Sequence, residues 1–506
     1  MSTTSSPATE TTPDELEAVL AAAATAAPAW AATPSTTRAR ALVAVADALL
    51  AHADELVPVG MRETGLAEAR LRGELLRTAV QLRLFADTVV DGSYLDVRID
   101  EADPDFALGA RPELRRVLVP LGPVLNFAAS NFPFAFSVAG GDTAAILAAG
   151  CPVILKVHDG HPGLSLATAA VVEDALRVSG APEGVFQTIV GQDAGVSALR
   201  DERVRAGSFT GSLRAGRILA DIAAARPVPI PFFGELGSVN PVFVTGQAVE
   251  ESGEAIATGF VGSVAGSAGQ LCTKPGFVYL PEAAGLDDTI RTAAEAVPEH
   301  RLLNDRITAG YAERRDTILA TPGVRVIAEG SLRVDADGDG WATPTIVAVS
   351  VDALRTGRDR LLDEAFGPLS ILVEVPADTP LAPLVAEFCE GNLTATLHAG
   401  AEETSDDLVE LVGQLSAHAG RVLFGGWPTG VAVTPAMQHG GPWPATTNDS
   451  STSVGTAAIT RFLRPVAFQN MPDRFLPAVL RSDAVGIPAA VAPAGASKQW
   501  GEAATA

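Results

Sequence analysis

Cys272 stands in Gly269-Gln270-Leu271-Cys272-Thr273, a glycine-rich turn where backbone N–H groups can reach whatever the sulfur attacks. A thiol so placed can be a nucleophile. Thirty-seven residues upstream, Glu235 lies in Phe233-Gly234-Glu235-Leu236-Gly237, at an apolar and glycine-rich strand end. Burial there is expected to raise the carboxyl pKa toward the range useful to a general base. Asn131, in Ala129-Ser130-Asn131-Phe132-Pro133, offers a side-chain N–H just after an apolar run, where it could help bind a developing oxyanion. Taken alone, Asn131 reads more readily as the cap of a helix beginning after Pro133. Nucleophile, base and oxyanion donor together point to acyl chemistry through a thioester.

Such groups work only if rigid elements hold them. From Arg115 onward, continuous apolar stretches near 117–125, 152–157, 184–190 and 204–209 alternate with helical patterns over 134–149, 164–178 and 194–200. That alternation predicts a parallel sheet covered on both faces. A second αβ series begins at Pro241-Val242-Phe243-Val244 and continues through strands near 276–280, 323–328, 370–375, 393–398 and 421–424. The fold class is therefore α/β with two parallel-sheet lobes. Helical patterns over 13–32 and 35–53 precede the first lobe, residues 1–12 read as a loose tail, and residues 451–470 read as extended. The alanine-rich segment after Ser482 reads as a second tail, 482–506.

At the strand ends, Lys156 either snorkels to the sheet edge or points at a ligand in the crevice beyond it. The turn Gly211-Ser212-Leu213-Arg214-Ala215-Gly216 follows a strand, and Ser212 can cap a helix whose N-terminus attracts phosphate, although the glycine spacing departs from G-x-G-x-x-G. His158 and His161, with Pro162 beside them and no Cys or carboxylate cluster nearby, read as turn or surface residues rather than metal ligands. Gln438-His439-Gly440-Gly441-Pro442 reads as a tight loop, either a lid over a pocket or an ordinary surface turn. The acidic loop 335–340 lacks the closing Glu of an EF-hand, so no metal is expected.

With 506 residues, 47% of them hydrophobic, the chain can bury large cores. A formal net charge of -24 sets its field against nucleic acid and acidic membranes. Three scattered cysteines, Cys151, Cys272 and Cys389, fit a reducing cytoplasm, and Cys151 and Cys389 are assigned to packing. The polar start carries no secretory pattern, and apolar runs fall short of the ~20 residues of a spanning helix, so the expectation is a cytoplasmic protein without a membrane partner.

Six motifs in consistent order, between about Leu42 and Leu476, resemble the aldehyde dehydrogenase superfamily. They are Ala129-Ser130-Asn131-Phe132-Pro133-Phe134, Ile154-Leu155-Lys156, Phe209-Thr210-Gly211-Ser212, Glu235-Leu236-Gly237-Ser238-Val239-Asn240-Pro241, Gly269-Gln270-Leu271-Cys272 and Asp363-Glu364-Ala365-Phe366-Gly367-Pro368. The resemblance implies two Rossmann-like lobes, 13–237 for the cofactor and 238–440 for catalysis, with a return segment over 441–480. Strands at about 93–120 and 453–470 would join subunits into a homodimer or homotetramer. It also implies attack of Cys272 on an aldehyde, an oxyanion held by Asn131 and the Cys272 N–H, hydride transfer to NAD or NADP, and hydrolysis of the thioester by water that Glu235 activates. Lys156 and Glu364 would meet the cofactor riboses, Gly211 and Ser212 the pyrophosphate, and Phe366 the nicotinamide.

Within the superfamily, the stretches 134–143, 237–243, 439–447 and 461–466 resemble the ketoglutarate semialdehyde dehydrogenase branch, and some NADP-dependent fatty aldehyde enzymes share them. A small semialdehyde such as 2,5-dioxopentanoate is thus the expected substrate, with medium- or long-chain aliphatic aldehydes the alternative. Phe132, Phe136 and Trp427 could line a tunnel for the latter, and Arg111, Arg115 or Arg461 could meet a semialdehyde carboxylate. Asp159, three residues after Lys156, would accept a bond from a free ribose 2′-OH but repel a 2′-phosphate, which favours NAD unless a protonated His158 offsets it. Two other readings are an acyltransferase that uses Cys272 without nicotinamide, and a nonenzymatic protein keeping the fold, suggested by the alanine-rich sequence and by Gly426.

Overall fold

The computed structural model describes residues 8–500 and 504, so the expected tail positions 1–7, 501–503, 505 and 506 lie outside the described residues. Five parallel strands form one sheet in the order Phe186–Ile189, Val153–Lys156, Val124–Phe127, Ala206–Thr210, Phe232–Glu235. Successive side chains point to opposite faces, and both faces are apolar. Val124, Val153, Leu155 and Phe233 pack into a core with the helices Ser35–Ala51, Gly141–Ala149 and Pro162–Val178. Leu125, Ile154, Ile189 and Phe232 face the other way, against Pro13–Ala31, Gln192–Arg200 and Leu213–Ala224. The sheet grows outward from Val124–Phe127 in both directions, so its strand order reverses beside that strand, where α/β sheets open a crevice at their carboxyl ends.

The chain leaves this sheet at Glu235 and enters a seven-stranded one at Val242–Val244. The order there is Arg325–Ala328, Thr345–Ser350, Leu369–Val375, Phe277–Pro281, Val242–Val244, Asn392–His398, Ala419–Phe424, with only the first strand antiparallel. Its two faces likewise belong to separate cores, Val347, Ile371 and Tyr279 on one side and Ile346, Leu372 and Val278 on the other. The sequence reading missed Thr345–Ser350, whose apolar run Thr-Ile-Val-Ala-Val follows a glycine-rich loop.

A four-stranded sheet stands apart from both, in the order Leu463–Gln469, Leu114–Pro120, Val97–Asp100, Ala489–Ala492. Its core is thin, with Val97, Val117, Leu476 and Leu480 buried together. The expected tail over 482–506 thus contains a strand, Ala489–Ala492, paired in parallel with Val97–Asp100. Backbone pairing, not side-chain burial, holds it, and an alanine-rich stretch gives no sign of that in advance. Residues 451–470 are not uniformly extended: a 3-10 helix, Thr456–Phe462, precedes the strand Leu463–Gln469.

Two further corrections concern helix starts. Residues 8–12 are not loose, because Thr11 exchanges hydrogen bonds with Val190, and Thr12 closes a capping box with Glu15 at the head of Pro13–Ala31. The helix expected over 134–149 begins only at Gly141. Residues 134–140 are drawn out of helical geometry because the buried Glu74 carboxylate accepts from the N–H groups of Phe134 and Ala135, at 2.7 and 2.9 Å. No helix among the described residues is long and apolar enough to cross a membrane.

Candidate active site

Register aligns the working ends of the five-stranded sheet. Phe127 pairs with both Lys156 and Phe209, and Thr210 pairs with Glu235, so Lys156, Glu235 and the turn holding Ser212 leave the sheet along one edge. The Asn131 loop departs from the same edge, after Phe127. Cys272 comes from the other sheet, on the turn between the helix Gly246–Ala265 and the strand Phe277–Pro281.

That turn contains three consecutive left-handed residues, Ser267, Ala268 and Gly269, with φ of 50°, 54° and 67°. At Gly269 only glycine serves, since a Cβ there would strike the Gly367 carbonyl and Pro368. Gln270 then locks the turn: its Oε1 accepts from the Leu303 N–H at 2.8 Å, and its carbonyl accepts from Asn131 Nδ2 at 3.0 Å. That bond ties the Asn131 amide to the carbonyl two residues before Cys272, and no second acceptor engages Asn131 Nδ2 among the described residues. Asn131 caps no helix, because the nearest begins at Gly141. Below the sulfur, buried Asn240 donates to the carbonyls of Cys272 and Lys274, at 2.8 and 2.9 Å. No described group accepts from the Cys272 N–H.

His439 is the group that local sequence did not resolve. It is no surface turn: fully buried, it sets Nε2 3.6 Å from Cys272 Sγ and 2.9 Å from Glu235 Oε1. Ligand-capable atoms of Glu235, Cys272 and His439 all fall within 4.8 Å of one another. The segment carrying His439 crosses the end of strand Phe232–Glu235, where the Leu236 N–H donates to the Ala445 carbonyl at 2.8 Å. Farther along it, Ser453 Oγ donates to Glu235 Oε2, with the His439 carbonyl oxygen 3.1 Å from the same hydroxyl.

These neighbours set the charges. Burial pushes the Glu235 carboxyl up, as the sequence suggested, but His439, Ser453 and Arg461 together outweigh burial and leave it below its ordinary range. The expected net rise is therefore reversed. Burial, reinforced by Glu235 and Glu364, pushes the Cys272 thiol well above its usual value, with Arg77 pulling it back. The resting pair is a carboxylate and a protonated thiol.

Toward the cofactor side, Lys156 Nζ meets Asp159 at 2.6 Å. Ser212 caps the helix Leu213–Ala224 by accepting from the Ala215 N–H at 3.3 Å, and no acidic residue occupies that first turn. Glu364 stands near Lys274 and Ser238, its carboxyl raised by burial against the pull of Lys274. Phe366 packs against the core of the five-stranded sheet. The expected offset by a protonated His158 fails, since burial pushes that imidazole down to about 3. His161 is no surface residue either: its Nε2 donates to the Ala129 carbonyl at 2.8 Å, so Nδ1 accepts from Ser165, and the pair steadies the Asn131 loop.

The cations named from sequence lie elsewhere. Arg111 donates to the Glu101 and Ala492 carbonyls, Arg115 pairs with Glu113 and Asp473, and Arg461 is buried against Asp142 at 2.5 Å. Phe132 and Phe136 pack edge to face beside His439, whereas Trp427 packs on Phe260 and His398.

Fold and site together define a two-sheet oxidoreductase with a half-buried thiol at the seam. A model of the aldehyde dehydrogenase family matches residues 2–381, and the chain belongs to that family. It is an NAD(P)-dependent aldehyde dehydrogenase, which leaves the acyltransferase and nonenzymatic readings without support. Among relatives, it is 43% identical over 466 residues to alpha-ketoglutaric semialdehyde dehydrogenase 2 of Azospirillum brasilense, covering 91% of this chain and 88% of that one. It is 41% identical over 434 residues to alpha-ketoglutaric semialdehyde dehydrogenase of Acinetobacter baylyi, covering 84% and 81%. Among solved structures, an NAD-dependent aldehyde dehydrogenase from Sinorhizobium meliloti superposes with TM-score 0.74 at 23% identity, covering 92% of this chain and 89% of that one. An NADP-dependent enzyme of E. coli gives 0.73 at 24%, covering 90% of each. The fold is thus common to users of either cofactor.

Proposed function

We propose that the chain oxidises 2,5-dioxopentanoate to 2-oxoglutarate, with NAD preferred over NADP. The meeting of Cys272, Glu235, His439 and Asn131 at the seam of two sheets carries this reading, and the identity to two semialdehyde dehydrogenases supports the substrate. Residues 13–237 would form the cofactor lobe, 238–440 the catalytic lobe and 441–480 the return segment. The open edge strand Leu463–Gln469 supports assembly into a cytoplasmic dimer or tetramer.

The residues fit a dinucleotide. The Ser212-capped helix has no acidic first-turn residue to repel a pyrophosphate, and Lys156, Asp159 and Glu364 offer ribose partners. When bound, the dinucleotide supplies the hydride acceptor. Asp159, with His158 neutral beside it, disfavours a 2′-phosphate.

The thiol starts protonated, so it must lose its proton as the aldehyde arrives. The Glu235 carboxylate, an oxygen of which lies within 4.8 Å of the sulfur, takes that proton and passes it to solvent before the later step, while His439 Nε2 donates to the carboxylate and holds it in place. Sulfur then bonds to the carbonyl carbon, and the oxygen gains negative charge opposite the Asn131 amide N–H and the Cys272 backbone N–H. After oxidation the acyl group remains on sulfur as a thioester. Glu235, kept ionised by its neighbours, draws a proton from a water molecule, which attacks the thioester and restores the thiol.

Steady-state oxidation of 2,5-dioxopentanoate and hexanal, each with NAD and NADP, tests the reading. The expected result is the highest kcat/KM for the semialdehyde with NAD. Absence of reduced nicotinamide with every pair, from folded protein, would overturn it.

A further inference from the structure

The helix Glu68–Asp91 runs beside the Asn131 loop and carries Arg70 and Arg77 on one face, seven residues apart. Arg70 is committed: Nη2 donates to the Asn131 carbonyl at 3.2 Å, Nη1 lies 3.5 Å from Glu74, and its guanidinium covers the Phe132 ring at 4.5 Å. Arg77 differs in pairing with no carboxylate among the described residues. Its guanidinium covers the Phe136 ring at 5.0 Å, and its Nη1, like that of Arg70, is buried without a hydrogen-bond partner. Phe136 in turn lies 6.1 Å from the His439 ring, which touches the reactive sulfur. One aromatic ring therefore separates a cation without an ion pair from the imidazole beside the sulfur.

A cation left without a partner in a low-dielectric pocket is costly, and the cost is offset when an anionic ligand arrives with two oxygens for the guanidinium fork. Arg421, the other cation whose field reaches the thiol, lacks that freedom. Its Nη1 and Nη2 each donate at 2.7 Å, to the carbonyls of Gly430 and Pro428. Glu74, whose field reaches Arg77, forms no ion pair with it: its Oε1 accepts from the N–H groups of Phe134 and Ala135, and its Oε2 lies 3.5 Å from Arg70.

We infer that Arg77 determines specificity: its guanidinium binds the distal carboxylate of an oxo acid whose aldehyde carbon lies at Cys272, while Phe136 carries the intervening carbons. The inference rests on the reading of Cys272 given above and adds the group that selects a charged aldehyde over an aliphatic one of equal length.

The test compares 2,5-dioxopentanoate with pentanal in the wild-type enzyme and in Arg77→Leu and Arg77→Lys. In Arg77→Leu the ratio of kcat/KM for the semialdehyde over pentanal should fall about 10- to 100-fold, mainly through KM, as expected for a lost charge-assisted bond. Arg77→Lys should fall between, because a point charge replaces the planar fork. Binding of 2-oxoglutarate by calorimetry should weaken in parallel. An unchanged ratio, with a melting temperature matching wild type, overturns the inference. So does an equal loss on both aldehydes accompanied by slower alkylation of Cys272, which would make Arg77 a tuner of the thiol. Failure of the wild-type enzyme to oxidise either aldehyde would instead strike the functional reading beneath it.

Discussion

One wall of the active site is made of strand ends and the other of crossing loops, and the two were assembled by different rules. Lys156, Glu235 and Ser212 stand where register places them, because neighbouring parallel strands end together. Asn131, His439 and Ser453 stand where side-chain bonds hold them. Asn131 is tied to Gln270, 139 residues away, and Ser453 to Glu235, 218 residues away. The strand wall supplies a carboxylate; the loop wall decides its pKa and the state of the thiol. Position comes from the sheet and chemical tuning from the loops.

Substitutions can separate the two contributions. Cys272→Ala should reduce dehydrogenase activity by about six orders of magnitude, the scale seen when a covalent nucleophile is removed, with melting temperature held as the check on folding. Glu235→Gln should lower kcat by about 10²- to 10⁴-fold, the range of general acid–base catalysis, and His439→Ala, which releases the carboxylate it holds, should lower kcat by less. The double variant should lose far less than the product of the two, since His439 acts through the Glu235 carboxylate that it holds. Full additivity would separate the walls. Asn131→Ala should cost about 10²- to 10³-fold in kcat, as for other oxyanion donors, with little change in KM.

The tuning itself can be read by titration. Because Glu235 raises the Cys272 thiol, Glu235→Gln should lower the thiol pKa, measured by thiolate absorbance in the resting enzyme. The smallest expected effect belongs to Ser453→Ala. Ser453 lowers the Glu235 pKa, so its removal should move the acidic limb of the pH–rate profile to higher pH, while the rate at the optimum changes only a few-fold. An unmoved limb would show that the loop wall does not tune the base.

The same division governs what could be read from the sequence. Strand-wall residues were legible because apolar runs mark strands, and the residue after such a run inherits the sheet edge. The cysteine turn was legible from its small residues. His439 was not: an imidazole between Gln438 and two glycines looks the same on a surface as in a core, and only the path of the chain across strand Phe232–Glu235 decides. The sign of the Glu235 shift failed for the same cause, since burial was visible locally and its three opponents, His439, Ser453 and Arg461, were not. Arg77 sits in a helix with other arginines, and nothing in its spacing marks it as the one without an ion pair.

Behind the imidazole, two backbones touch without any side chain between them: a Cβ at Gly420, in the edge strand Ala419–Phe424, would overlap the carbonyl of Gly440. The loop wall is therefore wedged directly against the catalytic sheet. A single methyl added at Gly420 would reach no reacting atom, yet it would drive the next residue, His439, off the sulfur. The acid–base chemistry thus has a mechanical handle on the far side of the wall, where a change in packing at the sheet edge is transmitted as a change in proton transfer.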